Sequence, residues 1–153
     1  MAEIKSVQMA KLAAVPAQKL ATTESHGRVR IMFAALAADH VQGAIADTVA
    51  FGRIPAGARI LPTGTLSCAA GTASSTLDIG LRRVKDGTVI DADGLATAVN
   101  IAAAGSKAIN TGALIANGAS YVTAEEVEVY GTIAGAVLAA NQAMSIQLAY
   151  VTD

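Results

Sequence analysis

Glu125, Glu126 and Glu128 form the densest carboxylate group in the chain. Residues two apart on a strand project from one face, so Glu126 and Glu128 would lie together while Glu125 points the other way. A pair of acids placed like this can divide general-acid and general-base work at a glycosidic bond. That chemistry also needs one carboxyl held protonated by its surroundings, and rings on which a sugar can stack. Aromatic residues make up only 3% of the chain and tryptophan is absent. A solvated strand face or a contact between subunits therefore explains the three glutamates better. Metal chemistry has as little support. His26 and His40 are the only histidines, Cys68 is the only cysteine, and none of them has metal-ligand spacing to another. Cys68, between Ser67 and Ala69, reads as a small core residue. Asp91-Ala92-Asp93-Gly94 opens like a calcium loop, but Ala102 stands where the bidentate twelfth-position glutamate belongs, so a polar turn is expected. Ser67 lacks the G-x-S-x-G frame, and Gly105-Ser106-Lys107 lacks the upstream glycine of a phosphate-binding loop. No catalytic, cofactor-binding or metal-ligating residue is assigned, and neither enzyme activity nor a cofactor is expected.

The elements that carry these residues read mostly as strands. From Arg28 the pattern has period two, with Val29, Ile31 and Phe33 on one face and Arg28, Arg30 and Met32 on the other, which predicts a half-buried strand with Phe33 inside. Further strands are expected over residues 48–54, 58–69, 76–84, 106–114, 121–133 and 144–151. In Leu77-Asp78-Ile79-Gly80-Leu81-Arg82 the alternation is strict. Turn signals fall between them at Gly71, Asp86-Gly87, Asp93-Gly94, Gly105, Asn117-Gly118 and Asn141. Alanine, the best helix former, favours a short helix or a loop over residues 95–104 and leaves 134–143 open between a helix and a loop or irregular connection. Arg82, Arg83 and Lys85 read as a solvated strand edge.

Residues 1–27 differ from the rest. Their apolar positions are scattered, Pro16 limits any helix to about residues 6–14, and Thr22 to Gly27 is polar and turn-forming. An N-terminal arm over 1–27 and one β-sandwich domain over 28–153 are expected. Hydrophobic residues reach 53% while charged residues are only 15%, so the apolar mass is aliphatic and association between copies would supply burial that aromatics usually provide. The net charge of -1 attracts no phosphate backbone, so no nucleic acid partner is expected. The N-terminal region lacks the apolar core of a secretory signal, and no run of about 18 strongly apolar residues suggests a membrane span. Intracellular synthesis and no membrane partner are expected.

The stretch Phe51-Gly52-Arg53-Ile54-Pro55-Ala56-Gly57-Ala58-Arg59-Ile60 joins two extended segments through one Pro-Ala-Gly corner. Together with Thr76-Leu77-Asp78-Ile79-Gly80-Leu81 and the closing Ile146-Gln147-Leu148-Ala149-Tyr150-Val151, it resembles structural proteins of tailed-bacteriophage virions, particularly capsid decoration or cement proteins. The likeness spans, with gaps, residues 28–153. It implies an all-β fold, an antiparallel β-sandwich of jelly-roll-like topology behind an extended arm. It further implies a homotrimer bound to the phage major capsid protein on the capsid exterior, assembled in the bacterial host cytoplasm. A tail or head-fibre component with a host-surface binding role is the alternative the same pattern allows.

Overall fold

The computed structural model describes residues 4–153, so the first three residues of the expected arm lie outside it. Among the described residues nine strands follow two short helices: β1 Arg28–Ala35, β2 Thr48–Ile54, β3 Arg59–Ile60, β4 Gly64–Cys68, β5 Thr76–Arg83, β6 Val89–Asn100, β7 Gly105–Ile109, β8 Val127–Ala134 and β9 Met144–Thr152. Helix α1 covers Val7–Ala13, α2 covers Thr22–Ser25, and α3, Ala113–Ala116, lies between β7 and β8. The strands form two antiparallel sheets, ordered β1-β9-β4-β7, with β3 beside β9, and β2-β8-β5-β6.

Setting β3 aside, the pairing is nested. β1 pairs with β9, β2 with β8, β4 with β7 and β5 with β6, so the chain is one long hairpin rolled so that alternate pairs fall in opposite sheets. This is a jelly roll, an antiparallel β-sandwich whose two inner faces make one core. The core is aliphatic: Ile54, Ile60, Leu66, Leu77, Ile79, Leu81, Leu95, Ile101, Ile109, Ile133 and Ile146 are all fully buried. Of the five aromatic residues only Tyr130 is buried. Cys68 is a free, buried thiol, as its neighbours suggested.

The structure agrees with the periodic segments and departs from the sequence expectations where the chain bends. β2 and β5 occupy the expected stretches, and α1 is a helix that begins on Ser6, whose hydroxyl accepts from the Met9 amide. The expected strand over 58–69 is two strands, broken by Leu61-Pro62-Thr63, since Pro62 has no amide to give a ladder. The strand expected over 106–114 ends at Ile109 and gives way to α3, and the one expected from residue 121 starts at Val127. Residues 95–104 are neither helix nor simple loop. They continue β6 as far as Asn100, and the polar turn expected at Asp91 to Gly94 lies inside the same strand. The reason is a set of bulges: between Ile79 and Leu81 the partners on β6 jump from Ala96 to Asp91, which takes up the extra residues without leaving the ladder. Gly80 makes room for them, because a Cβ there would stand 2.2 Å from the Asp91 carbonyl oxygen. The Asp78 carboxylate then accepts from the Ala98 amide at 2.7 Å, holding Ala98 at a φ of 49°.

The Pro-Ala-Gly corner turns as its residues suggest, with Gly57 at a φ of 75°. What fixes it is a residue 65 positions from Ala58. Thr123 is 2% exposed, and its hydroxyl accepts from the Ala58 amide at 2.9 Å while donating to the Pro55 carbonyl at 2.7 Å. Its backbone closes the corner from both sides, with Thr123 N donating to Ala58 O and Gly57 N donating to Thr123 O. Thr123→Val keeps the shape and leaves a buried donor and acceptor unsatisfied. A loss of about 1–3 kcal/mol in chemical denaturation is expected, and an unchanged midpoint would show that the hydroxyl does not hold the corner.

Candidate functional site

Directly paired residues of an antiparallel sheet share a face, so the registers define what each sheet shows to solvent. On the outer side of the β1-β9-β4-β7 sheet, Val29, Ile31, Phe33 and Ala35 stand beside Val151, Ala149, Gln147 and Ser145. Thr65 and Ser67 of β4, then Ala108 and Ser106 of β7, continue it, and Arg59 of β3, paired with Val151, stands at its corner with its guanidinium on the Thr23 carbonyl. Apart from Arg59 at that corner, no residue at these outward positions is charged. Val29, Ile31 and Phe33 are 62%, 66% and 67% exposed, whereas Met32, on the opposite face, is buried. This reverses the orientation expected from the sequence, where the apolar trio was assigned to the core. A shallow groove of ≈ 350 Å³ lies on this face, lined by Phe33, Thr65, Ser67, Ser106, Ser145, Ile146 and Gln147.

The other outer face is of opposite character. Glu128 lies between Arg53 on β2 and Arg82 on β5 in one cross-strand row. Arg82 pairs with Glu128 through its Nε and lies over the Tyr130 ring, 4.8 Å from the centroid. Burial raises the Tyr130 phenol above its ordinary range, and Arg82 partly opposes that shift. Arg83 pairs with Glu125 at 2.8 Å. Glu125 and Glu128 are thus taken up by arginines, while Glu126 is exposed. Glu128 alone lies within β8, and Glu125 and Glu126 precede it, so Glu126 and Glu128 do not share one strand face as expected. The Arg82 and Arg83 cluster is also not an open edge, because β5 runs between β8 and β6.

Among the described residues, the N-terminal segment meets the body at Arg59 and at Gly27. Arg59, from the corner motif, donates to the Thr23 carbonyl at 3.1 Å and to the Ala119 carbonyl at 3.4 Å, and so ties α2 to the loop before β8. Gly27 lies directly against Val151. Beyond this anchor, Glu24 holds α1 by accepting from Gln8 Nε2 at 2.9 Å and pairing with Lys11 at 3.4 Å, and it caps α2 by accepting from the Ala21 amide. No residue of α1 is buried, and Ile4, Val7, Met9, Leu12 and Val15 are all about half exposed or more. Residues 4–23 carry Lys5, Lys11 and Lys19 and no acid.

The hydrogen bond from Gln8, then that from the Ala21 amide, hold the Glu24 carboxyl below the ordinary glutamate range. A depressed value in the folded state means that the contact is fully present above the ordinary range and is lost as pH falls through the lower, folded value. Acidification is therefore expected to free α1 while the sandwich stays folded. Amide exchange over residues 7–13, corrected for its intrinsic pH dependence, should accelerate there, and protection that persists would contradict it.

His26 and His40 do not meet: His26 contacts the Ser25 hydroxyl, whereas the His40 ring nitrogens face the carbonyls of Val41 and Gln142. Among the described residues no group of three histidine, cysteine, aspartate or glutamate side chains is arranged to hold a metal ion. No helix among them is long and apolar enough to cross a membrane.

No protein-family profile matches the chain, and no curated protein matches it in sequence. Solved structures do. A chain from the capsid of Ralstonia phage GP4 superposes with a TM-score of 0.66 and 18% identity, over 83% of this chain and 86% of that one. The fold is shared with phage-capsid chains. A second, from the capsid asymmetric unit of cyanophage Pam1, superposes with a TM-score of 0.56 and 19% identity, over 92% of this chain and 96% of that one. At such identities the likeness lies in the jelly roll.

Proposed function

We propose that this chain is a phage head decoration, or cement, protein: a homotrimer that binds the outer surface between capsomers of the major capsid protein and stabilises the shell. The role is structural, not enzymatic. The observation that carries it is the arm, whose Ile4, Val7, Met9, Leu12 and Val15 stand in solvent on a jelly roll shared with phage-capsid chains. Apolar side chains displayed in this way gain by burial against a neighbour, each by about 1.5–3 kcal/mol before the cost of ordering.

The mechanism is mechanical. One copy bridging two capsomers adds a modest contact, and a trimer adds it three times at high effective concentration. Repetition over a symmetric shell then resists outward pressure without any single strong bond. Residues 4–23 of the arm, with three lysines and no acid, suit an apolar groove with an acidic rim on the shell. A host-surface reader on a tail or head fibre is less well supported. Such readers present exposed rings, and Phe33 is the only aromatic residue here that is more exposed than buried.

Co-sedimentation with expanded shells lacking this chain tests the reading. Saturable binding that raises the temperature of shell disruption is expected. Failure to bind such shells, together with saturable binding to host-surface glycans, would overturn it.

A further inference from the structure

We infer that the charge-free outer face of β1, β9, β4 and β7, centred on Ile31 and Phe33, is the surface through which copies of this chain associate, so that the occupant of the face is a second copy. Two copies bring identical charges to a homotypic contact, and like charges brought together repel. A face that meets itself is therefore best left without charge. The twelve outward positions on these strands carry none. A different protein can be met with complementary charge, and the opposite sheet offers that pattern, with Arg53, Glu128 and Arg82 in one row and Asp78 nearby.

Shape points the same way. Phe33 projects at the β1 side, and the ≈ 350 Å³ groove beside it is bounded on its far side by Thr65, Ser67 and Ser106. The two halves of the face differ, one carrying the large apolar side chains and the other the small ones. Phe33 of one copy fits the groove of a second, which covers both halves of the face. From strand spacing and rise the face covers about 400 Å², roughly half of what each partner buries in a standard interface. The contact is consequently concentration-dependent. The trimeric stoichiometry rests on the decoration reading, but association through this face does not and is measured without a shell.

Sedimentation equilibrium over a range of concentrations, on the full chain and on Ile31→Lys, Phe33→Lys and Thr48→Lys, decides the matter. Ile31 and Phe33 are exposed, and so is Thr48 on the opposite sheet, so each lysine stays in solvent and circular dichroism confirms the fold. The expected result is a wild-type oligomer, association weakened at least tenfold by either β1 substitution, and no change with Thr48→Lys. A wild-type monomer at every concentration would overturn the inference, and so would full association of both β1 variants or equal weakening by Thr48→Lys. A monomer that binds shells, and loses binding with Ile31→Lys, would assign the face to the shell. The decoration reading would then survive and this inference would not. An oligomer that loses association with Ile31→Lys but never binds shells would do the reverse.

Discussion

Removal of residues 2–27 is expected to weaken attachment to undecorated shells about a thousandfold while leaving the sandwich folded. Five exposed apolar side chains lie on this segment, from Ile4 to Val15. Burying each would gain about 1.5–3 kcal/mol, and fixing it would cost about 0.5–1.5 kcal/mol. The net is about 1 kcal/mol each, and a sum near 4–5 kcal/mol corresponds to about three powers of ten in Kd. The sandwich loses little, since α1 buries no residue and the arm reaches the body mainly through Arg59 and Gly27. Sedimentation of truncated and full-length protein with the same shells measures the difference. Undiminished affinity of a truncated chain with an intact circular dichroism spectrum would show that shell contacts lie on the sandwich.

Ile79→Ala is expected to cost about 2–5 kcal/mol, and Ile31→Ala less than about 0.5 kcal/mol. Both remove the same atoms from a strand. Ile79 is fully buried in β5, between β8 and β6. Ile31 is 66% exposed on β1. For a chain of this length the first loss lowers Tm by roughly 5–15 °C. Calorimetry at a concentration where the chain is monomeric keeps association out of the comparison. Equal losses for the two variants would contradict the orientation of β1.

That orientation is also where sequence and structure part most instructively. Leu77, Ile79 and Leu81 alternate with Asp78, Gly80 and Arg82, so β5 could be read with its inner face correct, because polar and apolar residues separate cleanly. In β1 the trio Val29, Ile31 and Phe33 looked inward, yet Met32 is the buried residue. Burial on folding and burial on association select the same side chains, and one strand's pattern cannot say which is meant. The face therefore became visible only once β9, β4 and β7 were placed beside it. β6 was hidden for another reason: Asp91, Asp93 and Gly94 carry turn chemistry that here serves bulges inside a strand. The Thr123 clamp is a long-range contact with no local signal. The corner it holds was legible from Pro55 and Gly57, and its Arg59 ties down the arm.

The placement of this chain on the head is tested most directly by an electron-microscopy map of intact virions that carry it. Jelly-roll density is expected on the outer surface of the head where capsomers meet, in groups of three with the β1 faces turned toward one another and the arms running onto the shell. Density for the chain on the tail alone, with none on the head, would contradict it.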